Sequence, residues 1–238
     1  MNRPETVSVT SSSVIPNQLG RMPLLSVLTV FVPIILTTLT SRLLHPQLQH
    51  SSPMVPFLVY TAWNWVVVCA GYFLIRRIGV RWRDFGFTNF RYRDLGLAVA
   101  AMLVGIFIVA PVAKWLTHIM GLPAIKGMNY SLSNPFDVAS ALIFVLIGPL
   151  AEEIIFRGYL LNVLRAKMAN LWVVGLAGVI MFTLVHLPYF GWGGILFIFL
   201  WSPLTVGLFL WRRSIYPSYV MHVLNNFFAY IVVPLFLR

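Results

Sequence analysis

Long apolar runs alternate along this chain with short polar joints that carry most of its arginines. The runs fall at about 22–44, 54–75, 95–119, 137–164, 171–188, 193–212 and 215–237. Each approaches or exceeds the roughly 20 residues that a helix needs to cross the hydrocarbon core of a bilayer. Helices satisfy their own backbone hydrogen bonds, which lipid cannot do for them. The pattern therefore predicts an all-α fold, a polytopic transmembrane helix bundle of about seven spans. Residues 1–20, polar and rich in Ser and Thr, predict a disordered N-terminal tail. Residues 21–238 predict a single transmembrane domain, with its polar signals in the part 137–237. The first run is too long for the apolar core of a signal peptide and lacks a small-residue cleavage site, so it is expected to stay as a membrane helix. No inverted repeat of the transporter kind is visible.

Composition sharpens this. Hydrophobic residues make up 59% of the 238 and charged residues 10%, against about 25% charged in soluble domains. Lys and Arg number 17 against 6 acids, yet the basic residues lie in short loops between apolar runs. That placement speaks against a nucleic-acid partner and for the positive-inside rule. Alternating the spans puts Arg3, Arg21, Arg76, Arg77, Arg81, Arg83, Arg91, Arg93, Arg165, Lys167, Arg212 and Arg213 on one side. Arg42, Lys114, Lys126 and Arg238 fall on the other. The expectation is a multi-pass protein of the cell (cytoplasmic) membrane, N-terminus inside and C-terminus outside. Trp82, Trp172, Trp192 and Trp211 near span ends suit an interfacial belt. The single Cys69 excludes an internal disulfide and reads as a small buried hydrophobe.

One stretch breaks the apolar pattern: Gly148-Pro-Leu-Ala-Glu-Glu-Ile-Ile-Phe-Arg-Gly158, with Glu152, Glu153 and Arg157 inside an otherwise hydrocarbon-soluble helix. Each charge at that depth costs about 2.5–3.5 kcal/mol on insertion scales. Such groups persist where they pair, line a wet cavity or do chemistry. Glu153 and Arg157 are four apart, acid first, the favourable order for an ion pair on one helix face. Glu152 points about 100° away and has no partner within its helix. Gly148, one turn earlier, leaves space beside it for a backbone, a water or a substrate. His186 follows Phe182 by four in another run, with Gly175 and Gly178 near the same side to allow close packing. His222 and Asn226, again four apart, share a face of the last run. Alone, each reads as a helix-packing residue; together they place a carboxylate, two imidazoles and an amide in a medium that penalises all of them. His45 and His50 lie in a polar loop and His118 ends a run, and none takes a role.

Glu152-Glu153-x-x-x-Arg157, then Phe182-x-x-x-His186, then His222-x-x-x-Asn226, in that order and in separate spans, resembles the CPBP family of CAAX-protease and bacteriocin-processing-type intramembrane endopeptidases. The motifs cover about 148–226, and the first three spans match only in general character. The resemblance implies a glutamate-dependent, metal-independent peptidase acting on a protein or peptide substrate at the membrane. It implies that Glu152 and His186 activate a water, that His222 and Asn226 stabilise the oxyanion, and that Glu153 and Arg157 support them. Elementary chemistry agrees: a carboxylate stripped of water is the better base, and donors in a dry site act more strongly. No cofactor is expected. Zinc held by Glu152, His186 and His222 is the minority alternative, although no HExxH is present and Asn is a rare zinc ligand.

Two other functions compete, a proton-coupled transporter and a non-proteolytic immunity or scaffold member of the same family. One expectation conflicts with the catalytic reading. Seven straight spans put His186 near the outer end of the fifth and His222 roughly 10 Å past the inner start of the seventh, at 1.5 Å per residue. Tilted helices and a break at Ser202-Pro203 in the sixth span are the two devices that would narrow that gap.

Overall fold

The computed structural model describes residues 17–44, 52–123, 132 and 134–236. Residues 1–16 of the expected tail, His45, His50, Lys126 and Arg238 lie outside the described residues. Residues 17–20 belong to a short 3-10 turn, Gln18–Arg21, that buries Leu19 and is capped by the Asn17 side chain.

Among the described residues six helices are long and apolar enough to cross a membrane: α1 (Leu24–Leu43), α2 (Val55–Ile78), α3 (Tyr92–Ile119), α4 (Pro135–Lys167), α5 (Leu171–Arg212) and α6 (Ile215–Phe236). There is no strand among the described residues. The protein is a membrane-embedded, multi-pass helical bundle. Its helix starts are written locally. Asn134, Asn170 and Ser214 cap α4, α5 and α6 through their side chains. Asp94 does the same for α3 by accepting from the Arg91 N–H at 3.0 Å, each cap satisfying an orphan donor.

The 42 residues of α5 would run roughly 63 Å if straight, twice a hydrocarbon core. They do not run straight. Gly191, at φ 64 and ψ −174, occupies a backbone region open in practice to glycine alone. The helix folds back there into two legs, 171–190 and 192–212. The fold-back is visible in Gly175 and Gly178 of the first leg, whose bare Cα faces pack against Val206 of the second. The expected fifth and sixth spans are these two legs of one helix, so the seven expected runs fall on six helices among the described residues. The expected break at Ser202-Pro203 is absent. Pro203 stays within the second leg, a tolerated position in membrane helices, and the turn falls twelve residues earlier, at Gly191.

At the centre stands α4, whose most apolar stretch is 61% buried, against 11% for α3 and 44% for α5. It packs against α2 and α6, while α6 also meets α3 and α5. Cys69, expected to be buried, is exposed on the outer face of α2; among lipid tails a thiol behaves as the small hydrophobe the sequence suggested, without needing the core.

The two ends of the bundle differ. At one end the Arg81–Phe90 connection is drawn into the protein. Ile215 N–H donates to Gly86 O at 3.1 Å, Asn162 and Asn17 both donate to Asp84 O, and Arg212 pairs with buried Asp94 at 2.6 Å. Arg21 reaches Ile78 O. These contacts gather the arginine-bearing joints at a single end. At the other end lie the Gly191 turn, Ser52 bonded to Asp137, and Gly193 packed against Pro123 O.

Candidate functional site

Pro149 brings no N–H to the ladder of α4, and the helix widens just beyond it into a π-helical stretch, Glu153–Leu160, a feature common at functional positions. Two carbonyls just before it also accept from side chains: Trp65 Nε1 donates to Ile147 O at 3.1 Å and Tyr219 Oη to Leu146 O at 3.0 Å. The stretch delivers Glu152, Glu153 and Arg157 to the interior, all buried. The space beside Gly148 is filled by Thr61 of α2, whose Oγ1 would lie 3.2 Å from an added Cβ. It is a helix-packing surface rather than room for a ligand.

Glu153 and Arg157 form the expected ion pair, Oε1 to Nη1 at 3.3 Å, with both side chains at 0% exposure. The guanidinium also donates to Thr205 Oγ1 from the second leg of α5. Its centre lies 4.2 Å over the Phe182 ring, a cation–π contact in a dry setting. Glu153 Oε1 is also 3.0 Å from His222 Nδ1. A carboxylate oxygen accepts, so that nitrogen carries a proton. Likewise the Phe182 carbonyl, 2.7 Å from His186 Nδ1, fixes the proton of His186 on Nδ1 and leaves its Nε2 facing the site.

Both imidazoles converge on Glu152. The Nε2 atoms of His186 and His222 each lie 3.8 Å from Glu152 Oε2. That oxygen is buried and has no hydrogen-bond partner among the described residues. The distances are too long for direct hydrogen bonds and suited to a bridging molecule. Asn226 lines the same cavity, which offers about 70 Å³ to water-sized molecules, room for a few of them. Glu152, His186, His222 and Asn226 are therefore brought together, with Glu153 and Arg157 behind them.

The expected mismatch in depth does not occur. Glu152 lies fifteen residues before the end of α4 and His186 fifteen after the start of α5, so the two start level, roughly 22 Å from that end. His222 is only seven residues into α6, but α6 begins deep. Ser214 and Ile215 are fully buried beneath the Arg81–Phe90 connection, whereas Trp172 at the start of α5 is 89% exposed. Counting residues from helix starts assumed that all starts lie in one plane.

Residue spacing had not pointed to Thr205, Trp201, Phe190 or Ser218. Trp201 sits edge-on to His222 at 5.0 Å between ring centroids, and Phe190 stacks on His186 at 5.8 Å. Ser218 stands beside Glu153. Its spacing in Ser218-x-x-x-His222-x-x-x-Asn226 was a readable signal, whereas nothing in the local sequence marked Thr205. Among the described residues no group of three or more His, Cys, Asp and Glu is arranged to hold a metal ion.

Fold and site thus define a multi-pass membrane protein with a buried carboxylate held between two imidazoles. Residues 134–228 match the family described as type II CAAX prenyl endopeptidase Rce1-like, and the resemblance carried by the three motifs holds over that segment. The chain is also 28% identical over 137 residues to an uncharacterized 24.3 kDa protein of Escherichia coli. That alignment takes in 56% of this chain and 54% of the relative, so the chain spans about half the length of the curated relative it matches. No solved structure matches the chain.

Proposed function

We propose that the protein is an intramembrane, glutamate-dependent endopeptidase of the cell membrane that hydrolyses a peptide bond of a membrane-associated protein or peptide. The observation that carries this reading is the placement of Glu152 Oε2 at 3.8 Å from Nε2 of both His186 and His222 in a buried cavity. A water between Glu152 and His186 meets a carboxylate and an imidazole lone pair, both acceptors. Glu152 takes one proton from it as the oxygen bonds to the scissile carbonyl carbon, with His186 Nε2 accepting the other hydrogen bond. The carbonyl oxygen becomes the oxyanion. Asn226 donates to it, and His222 donates through Nε2–H when its ring carries both protons, the Nδ1 proton being held by Glu153. When the C–N bond breaks, the proton on Glu152 passes to the leaving nitrogen, giving an acid and an amine.

Arg157 neutralises Glu153, which leaves Glu152 as the carboxylate without a cation of its own. The test is cleavage of a reporter peptide by purified protein in lipid. Glu152→Gln, nearly isosteric, removes the base and should lower kcat by a factor of about 10² to 10⁴, the usual contribution of general base catalysis. Full activity in that variant sinks the mechanism. Activity that survives exhaustive chelation disposes of the zinc alternative; restoration of lost activity by added zinc revives it.

A further inference from the structure

The cavity has a direction. Its floor is made by Glu152, Phe182, Trp201 and His222, and every other lining residue lies level with these or towards the Gly191 end of the bundle. Phe57 lies near the start of α2, Phe144 two turns before Glu152 on α4, Phe190 beside the α5 turn, and Ala229 two turns beyond His222 on α6. Along that path Phe190, Phe197, Asn225 and Ala229 are half-buried, as residues at a mouth should be. Towards the opposite end the site is closed. Phe156, Leu160, Leu164, Phe209 and Ile215 are buried there, with the Arg81–Phe90 connection packed over them. That closed end is the one that gathers Arg21, Arg76, Arg77, Arg81, Arg83, Arg91, Arg93, Arg165, Lys167, Arg212 and Arg213, whereas only Arg42 and Lys114 among the described basic residues belong to the open end.

The positive-inside bias makes the arginine-rich end cytoplasmic. We infer that the cavity opens away from the cytoplasm, so that the substrate is an extended, apolar peptide segment reaching Glu152 from the non-cytoplasmic half of the membrane. This rests on the peptidase reading for what happens at Glu152, and on geometry and charge for the side of entry. Aromatic side chains line the funnel above the floor, and Glu152 is the one carboxylate among its lining residues. A segment with uncharged, apolar residues flanking the scissile bond fits it.

Because Cys69 is the only cysteine, the side of entry can be read by labelling. In a Cys69→Ser background, single cysteines are placed at Ala229 and Phe190 in the funnel and at Thr88, which is exposed at the arginine-rich end. Intact bacterial cells expressing each variant are treated with a membrane-impermeant maleimide, then the same cells after permeabilisation, then the protein in detergent. Ala229→Cys and Phe190→Cys should react in intact cells, and Thr88→Cys only after permeabilisation. Reaction of Thr88→Cys in intact cells, or of the funnel cysteines only after permeabilisation, reverses the side and overturns the inference. Failure of both funnel cysteines to react even in detergent overturns the open funnel. The labelling is repeated with Glu152→Gln, where it should be unchanged. If the pattern holds while no peptide is cleaved, the peptidase reading fails alone.

Discussion

Arg157 is the least expected side chain in the bundle, a guanidinium with no solvent exposure in the middle of a membrane helix. Three partners make it tolerable: the Glu153 carboxylate, the Thr205 hydroxyl and the face of Phe182. Removing one member of such a pair leaves the other charge buried and unmatched, which costs about 3–5 kcal/mol. Arg157→Met should therefore lower the unfolding midpoint in detergent steeply, and Glu153→Gln added to it should recover most of the loss. Activity should not recover with stability, because Glu153 also holds the Nδ1 proton of His222; a double variant that is both stable and fully active removes Glu153 from the site. Thr205→Val tests the smaller contact, with an expected loss of about 1–3 kcal/mol for the donor left unmatched. The pair itself was legible from the spacing of Glu153 and Arg157, because helical geometry is local. Thr205 was not, since it lies 48 positions away and its approach depends on how two helices register. The same holds for Phe182, which belonged to a motif but whose carbonyl and ring serve His186 and Arg157 in different ways.

At the level of the helix, the α5 hairpin sets the site. One leg supplies Phe182 and His186, the other Trp201 and Thr205, and the turn at Gly191 decides whether they face each other. Reading the runs placed a joint between 188 and 193, and the turn is there. Proline was given the breaking role at Ser202-Pro203, but a single proline in a helix packed on its neighbours bends it less than one residue at φ 64 and ψ −174. The cluster Gly191, Gly193 and Gly194 was the better signal. Gly191→Ala forces a side chain into a backbone region that costs of order 1–3 kcal/mol. It should lower both thermal stability and cleavage by displacing the legs. Gly207→Ala, in the second leg with nothing within 4 Å of the added Cβ, is the contrast. It should leave activity unchanged and gain up to about 1 kcal/mol of helix stability. Equal effects of the two substitutions, measured by thermal melts and initial rates, contradict the assignment of the hinge to Gly191.

For the whole molecule, the question is whether the buried polar groups make a site or a path. Membrane class, number of crossings and motif order were legible because hydropathy and spacing are properties of the chain alone. The meeting of His186 and His222 was not, because depth depends on where each helix starts relative to the others. α6 starts deep only because the Arg81–Phe90 connection is tucked beneath it. That same connection closes the bundle. Below Ser218 and Thr205 the interior is a plug of Leu160, Leu161, Leu164, Phe209, Ile215 and Phe85, all buried. A proton path needs polar groups or water across the full thickness; these six side chains offer no such group, and the buried Asn162 beside them is engaged by Asp84 O and Gly158 O. Protein reconstituted in liposomes with an imposed pH difference should leak protons no faster than protein-free liposomes, and Glu152→Gln should leave that rate unchanged. Flux that depends on Glu152 would make the buried carboxylate part of a relay and favour a transporter. A tight membrane together with Glu152-dependent cleavage would leave the plug its other consequence: water and peptide reach the carboxylate from one side only, and both products must leave the way the substrate came.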